Sequence, residues 1–124
     1  MIKVFEEKGF TLIEVLIGLI ILAIGILAVA GMQITSTRGS FFSNNLMQAS
    51  YIAQDRLEFL KNPLFDSPLI QDGSSGNGTT TISGIVFNWS YNIVANGDVR
   101  TINLTVTWND GVDHNVSFST IRSQ

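Results

Sequence analysis

From Val15 to Thr37 the chain contains no ionisable side chain, and this run constrains the fold more than any other feature. It exceeds the roughly 20 residues that carry a helix across the hydrocarbon of a bilayer. One carboxylate, Glu14, stands just inside its N-terminal edge, in the stretch "KGFTLIEVL" from Lys8 to Leu16. A charge at the centre of a bilayer costs roughly 2.5–3.5 kcal/mol on insertion scales. Its presence therefore asks for a function. Gly18 and Gly25 lie seven residues apart within the run, nearly on one helix face, where a neighbouring helix could approach closely.

The run follows a polar start, which is the general form of an export signal. It is longer than the 7–15-residue apolar core of a removable signal, and no clean Ala-x-Ala site closes it. "AVAGMQ", Ala28 to Gln33, comes nearest. The spacing predicts a retained anchor. Lys3 and Lys8 precede the span, and only Arg38 lies close behind it. The positive-inside rule then places the N-terminus in the cytoplasm and the C-terminal part outside.

Of 124 residues, 45% are hydrophobic and 14% charged. The apolar excess sits in the N-terminal third, and the chain beyond Gly39 is rich in Ser, Thr and Asn. That leaves room for one small domain. Lys3 and Lys8 cancel Glu6 and Glu7, so the formal charge of −3 belongs to the remainder. Its basic residues Arg38, Arg56, Lys61, Arg100 and Arg122 are scattered, without the cluster that nucleic acid requires. No cysteine is present, which removes disulfides and thiolate metal sites and says nothing about compartment.

"KGFTLIEVL" resembles the processing signal of type IV prepilins and pseudopilins: a short hydrophilic leader, a glycine, a phenylalanine, then Thr-Leu-Ile-Glu opening the apolar helix. The resemblance implies cleavage by prepilin peptidase between Gly9 and Phe10, with N-methylation of Phe10. It also implies an assembly role for Glu14. Cleavage creates an amine at Phe10, and on a helix rising about 1.5 Å per residue Glu14 lies only a few ångströms deeper. A cation from a neighbouring subunit would offset the cost of the carboxylate. Such pairs select register and partner more than they stabilise.

Phe42, Leu46, Ala49, Ala53, Leu57 and Leu60 follow at steps of three and four, an apolar stripe of an amphipathic helix. Asn44, Asn45, Gln48, Gln54, Asp55, Glu58 and Lys61 read as its solvated face. Gly39 marks an expected weak point or bend. Pro63 should end the helix near Asn62. Phe87, Trp89, Tyr91 and Ile93 alternate with polar residues, as do Ile102, Leu104, Val106 and Trp108, and "ANGD" (Ala95 to Asp98) supplies a hairpin turn between them. Val116 and Phe118 open a last strand, and "TTTIS" from Thr79 adds an edge strand.

The fold expected is α+β and pilin-like. A long N-terminal transmembrane and amphipathic helix packs its second half on a small antiparallel β-sheet. The boundaries are a leader over 1–9, a membrane helix over 10–32, a stem over 33–62, a connecting loop over 63–78 and a sheet over 79–124.

The residues give little support for an enzyme. His114 is the only histidine, no Gly-x-Ser-x-Gly elbow is present, and "NDGVDHN" lacks the EF-hand spacing. No catalytic, cofactor-binding or metal residue is expected. The sequons at Asn77, Asn88, Asn103 and Asn115 read as chance in an Asn/Thr-rich chain within the bacterial context the resemblance implies. "ASYIAQDRLEFLKN", Ala49 to Asn62, together with the N-terminal helix, resembles minor pilins of the type IV pilus modification group. Major pilins commonly close a C-terminal loop with a disulfide, which this chain cannot form. The expected partners are prepilin peptidase, other pilins or minor pilins through the N-terminal helix, and the inner membrane, with no nucleic acid. The alternatives are a minor pseudopilin of type II secretion, a competence pseudopilin, or a signal-anchored periplasmic binding module.

Overall fold

The structure is a computed structural model and describes residues 9–124. Most of the expected leader, including Lys3 and Lys8, lies outside the described residues. One helix, α1 (Leu12–Lys61), precedes a short 3₁₀ turn (Pro68–Ile70) and four strands: β1 (Ser75–Ile82), β2 (Ile85–Asn96), β3 (Val99–Asn109) and β4 (Asp113–Ser123). The chain divides into two compact units, Met1–Phe41 and Phe42–Gln124.

In the first unit, α1 starts from a side-chain cap. The Glu14 amide donates to Thr11 Oγ1 at 3.3 Å and to the Thr11 carbonyl at 3.0 Å, satisfying a donor that a helix N-terminus otherwise leaves free. Every large apolar side chain from Leu12 to Ile34 is at least 48% exposed. Its most apolar stretch reaches a mean hydropathy of 3.0. Nothing in the described chain covers this surface, and by length and composition the helix is able to cross a membrane. Helical structure continues through Gly39, the expected weak point or bend. There the Thr35, Thr37 and Ser40 hydroxyls donate to carbonyls four residues back, at 3.2, 2.9 and 3.1 Å.

The second unit, the head, packs the C-terminal part of α1 on an antiparallel meander of order β1-β2-β3-β4. Strand alternation sends Phe87 and Ile93 of β2, and Ile102, Leu104, Val106 and Trp108 of β3, toward the helix. Ala49 and Ala53 are fully buried against them. They stand one turn apart, where small side chains let the helix come close to the sheet. Ile52 joins them, while Leu60, Ile70, Ile93 and Ile102 form a second cluster toward the end of the helix. The opposite sheet face is polar, and Thr105 and Ser117 hydrogen-bond across it at 3.0 Å.

One boundary and one side chain differ from those read in the sequence. The connection after Pro63 is shorter than expected because β1 begins at Ser75, not Thr79. Gly76 and Gly78, which fall within the expected connecting loop, are strand residues paired with Tyr91 and Trp89. The rings lie over the glycines: a Cβ on Gly76 would sit 2.6 Å from Tyr91 Cε1, and one on Gly78 would enter the Trp89 ring. Glycine is required there by cross-strand aromatics, not by a bend.

The second correction concerns Asn45. It is 3% exposed, in line with Ala49 and Ile52 and not on the solvated face. Its Nδ2 donates to Asp110 Oδ2 at 2.8 Å, which meets the need of a buried amide for a partner.

The connection itself is tied to the far end of the sheet. Arg122 donates to the Pro63 carbonyl at 2.6 Å, and Asp72 Oδ1 accepts from the Ala95 amide at 2.8 Å.

Candidate processing and assembly site

The three residues singled out at the N-terminus lie together at the start of α1. Gly9 and Phe10 are non-helical and exposed, Thr11 caps, and Glu14 occupies the first turn. The Glu14 side chain is exposed and has no ion-pair partner among the described residues. A carboxylate near a helix N-terminus gains a favourable interaction with the macrodipole, about 0.3–1 kcal/mol when exposed. Thr-x-x-Glu is also the capping-box pattern. Glu14 thus suits the helix start as well as any docking role. Gly18 and Gly25 have open space where a Cβ would stand, so the described chain leaves room beside that face.

The head has one polar cluster of note, at the β3–β4 turn. Asp110 accepts from Asn45 through one oxygen and pairs with His114 Nε2 at 3.0 Å through the other. The His114 ring stacks on Trp108 with centroids 5.3 Å apart and lies 5.0 Å from Phe42. Asp113 accepts from Asn109 Nδ2 at 2.6 Å. Asn45, Asp110 and His114 satisfy one another and fasten the turn to the helix, while Trp108 Nε1 is buried without a partner among the described residues. Among the described residues, no three His, Asp or Glu side chains gather as a metal-ligand set.

The Asn45 amide, and after it the His114 imidazole, holds the Asp110 carboxyl below its ordinary value, against an opposing effect of burial. A depressed folded-state pKa adds stability above the ordinary carboxylate range and loses it as pH falls through the depressed value. In denaturant unfolding of the full chain in detergent, wild type should exceed Asp110→Asn in stability at neutral pH. The gap should close as pH falls below about 4. A gap unchanged down to about pH 2 would refute this role for the carboxylate.

Asn45 was missed in the sequence because its residue type argued for solvent. Its spacing from Ala49 and Ile52, four and seven residues on, was the available signal.

Residues 6–30 match the family model described as the prokaryotic N-terminal methylation motif. The chain carries a type IV prepilin-like N-terminus. The motif indicates a pilin- or pseudopilin-like protein that prepilin peptidase processes, and the match covers the glycine, the cap, the carboxylate and most of the exposed apolar helix. No curated protein and no solved structure matches the chain. The prepilin-like segment joins an α+β head, a long N-terminal helix on a four-stranded antiparallel sheet.

Proposed function

We propose that the protein is a minor type IV pilin-like subunit. Prepilin peptidase cuts it between Gly9 and Phe10, Phe10 is N-methylated, and the mature chain enters a type IV pilus or primes its assembly. On this reading its stem, together with the N-terminal helix, resembles the type IV pilus modification protein PilV. Before assembly it spans the inner membrane once, with the N-terminus cytoplasmic and the head periplasmic. Its role is structural, not enzymatic, and its partners are the peptidase and other pilins met through α1.

The observation that carries this reading is the methylation motif at the head of an apolar helix with no cover of its own. Glu14 supplies the logic of assembly: it has no ion-pair partner among the described residues and would be neutralised by a neighbour's N-terminal amine. The head offers a polar sheet face with open clefts, lined by residues such as Asn77, Thr79, Asn88 and Thr107, and this suits a contact surface better than a reaction site.

Intact-mass analysis of the protein from membranes tests the proposal. It should show a chain beginning at methylated Phe10. A chain still starting at Met1 overturns it.

A further inference from the structure

We infer that the end of the head at which α1 enters it is a lipid-contacting surface, resting in the headgroup layer on the periplasmic side of the membrane. The inference rests on the membrane-spanning reading above and concerns a different part of the chain.

Within the head, contacts identify this end. Asn45 bonds Asp110, and Phe42 packs on Trp108 and His114. The β3–β4 turn therefore lies level with the first helical turns of the head. Strand register brings the β1–β2 turn, Ser83 and Gly84, to the same end, because Phe87 pairs with Trp108 while Ile82 pairs with Ile85.

Chain length fixes how far this end can be from the bilayer. Arg38 is the first charge after the apolar run and belongs at headgroup level. Seven residues separate it from Asn45, about 10 Å of helix and under about 25 Å by any path. The headgroup layer itself is roughly 5–8 Å deep on each side.

The chemistry of this end suits that layer. Val112 projects from the turn at 65% exposed, Val86 near the start of β2 is exposed, and Phe42, Trp108 and His114 form an aromatic cluster at this end. Trp108 is itself buried, and the ring open to lipid at this end is that of Phe42. The ionisable groups of this turn are Asp110, Asp113 and His114. Asp110 is paired with His114 itself, and Asp113 is hydrogen-bonded to Asn109. There is no lysine or arginine in either turn. The other end of the head, by contrast, carries Lys61, Asp66, Asp98, Arg100 and Arg122. Chain length holds the first end, with Val112 exposed on it, near the headgroups, while the charged end lies at the opposite ends of the strands.

Because the chain has no cysteine, single cysteines report cleanly. Val112→Cys, Leu64→Cys and Ile20→Cys variants of the full chain carry an environment-sensitive fluorophore in phosphatidylcholine vesicles. Nitroxide quenchers sit either at the headgroup or deep on the acyl chain. Leu64 is 84% exposed and lies next to Pro63, the partner of Arg122 at the charged end. The Val112 probe should be quenched several-fold more by headgroup nitroxide than the Leu64 probe, and the Ile20 probe by the deep nitroxide. Deep quenching at Ile20 with equal quenching at Val112 and Leu64 overturns the lipid contact and leaves the membrane span standing. Failure of the deep quencher at Ile20 overturns the span itself, and the contact with it.

Discussion

Glu14→Ala should insert and be processed yet fail to enter a filament, with incorporation falling by more than about a hundredfold. The size follows from the cost of leaving one member of a buried ion pair without its partner, about 3–5 kcal/mol. In the variant, the unpaired member is the neighbour's amine. The structure adds a complication, because Glu14 also occupies the third helical position after the Thr11 cap. Glu14→Gln separates the roles. Glutamine serves a capping box as glutamate does, but it brings no charge. Co-purification with assembled filaments should show Gln as defective as Ala. Incorporation restored by Gln would assign Glu14 to the helix start and remove the docking charge from the account.

Phe87→Ala should be the most damaging single truncation in the head. The ring is fully buried on β2, 5.9 Å from Trp108, and belongs to the cluster that holds Ala49, Ile52 and Ala53 of α1. Removing a buried phenylalanine costs about 3–5 kcal/mol through lost transfer energy and the cavity left behind. A small domain has a total stability of roughly 5–15 kcal/mol, so this loss is a large fraction. Ile121→Ala, on an exposed position of β4, should stay within about 0.5 kcal/mol of wild type. Denaturant unfolding followed by tryptophan fluorescence would rank the two, and equal midpoints would refute the packing described.

The elements legible in the sequence were those whose signal is local. The membrane run declares itself by length alone, and β2 and β3 by strict alternation over Phe87–Ile93 and Ile102–Trp108. The beginning of β1 was hidden because Gly76 and Gly78 carry turn chemistry. Only the Tyr91 and Trp89 rings across the ladder give those glycines a strand role. Asn45 was hidden for a similar reason: its partner Asp110 stands 65 residues away. The four sequons also find a physical source. Asn77, Asn88, Asn103 and Asn115 all lie on the polar sheet face, and the hydroxyl residue two positions on faces the same way. A face tiled with Asn, Ser and Thr generates Asn-x-Ser/Thr by strand geometry. The candidate site was legible because its motif is contiguous, whereas the cap that organises it emerged only from the hydrogen bonds of Thr11.

That cap has a consequence for maturation. Thr11 lies on the mature side of the proposed cut, and the first helical bonds draw on its hydroxyl and carbonyl alone. The scissile link between Gly9 and Phe10 sits one residue upstream, in backbone that contributes nothing to the helix. A cut there would leave every bond of the capped first turn in place, so the anchor would keep its own beginning.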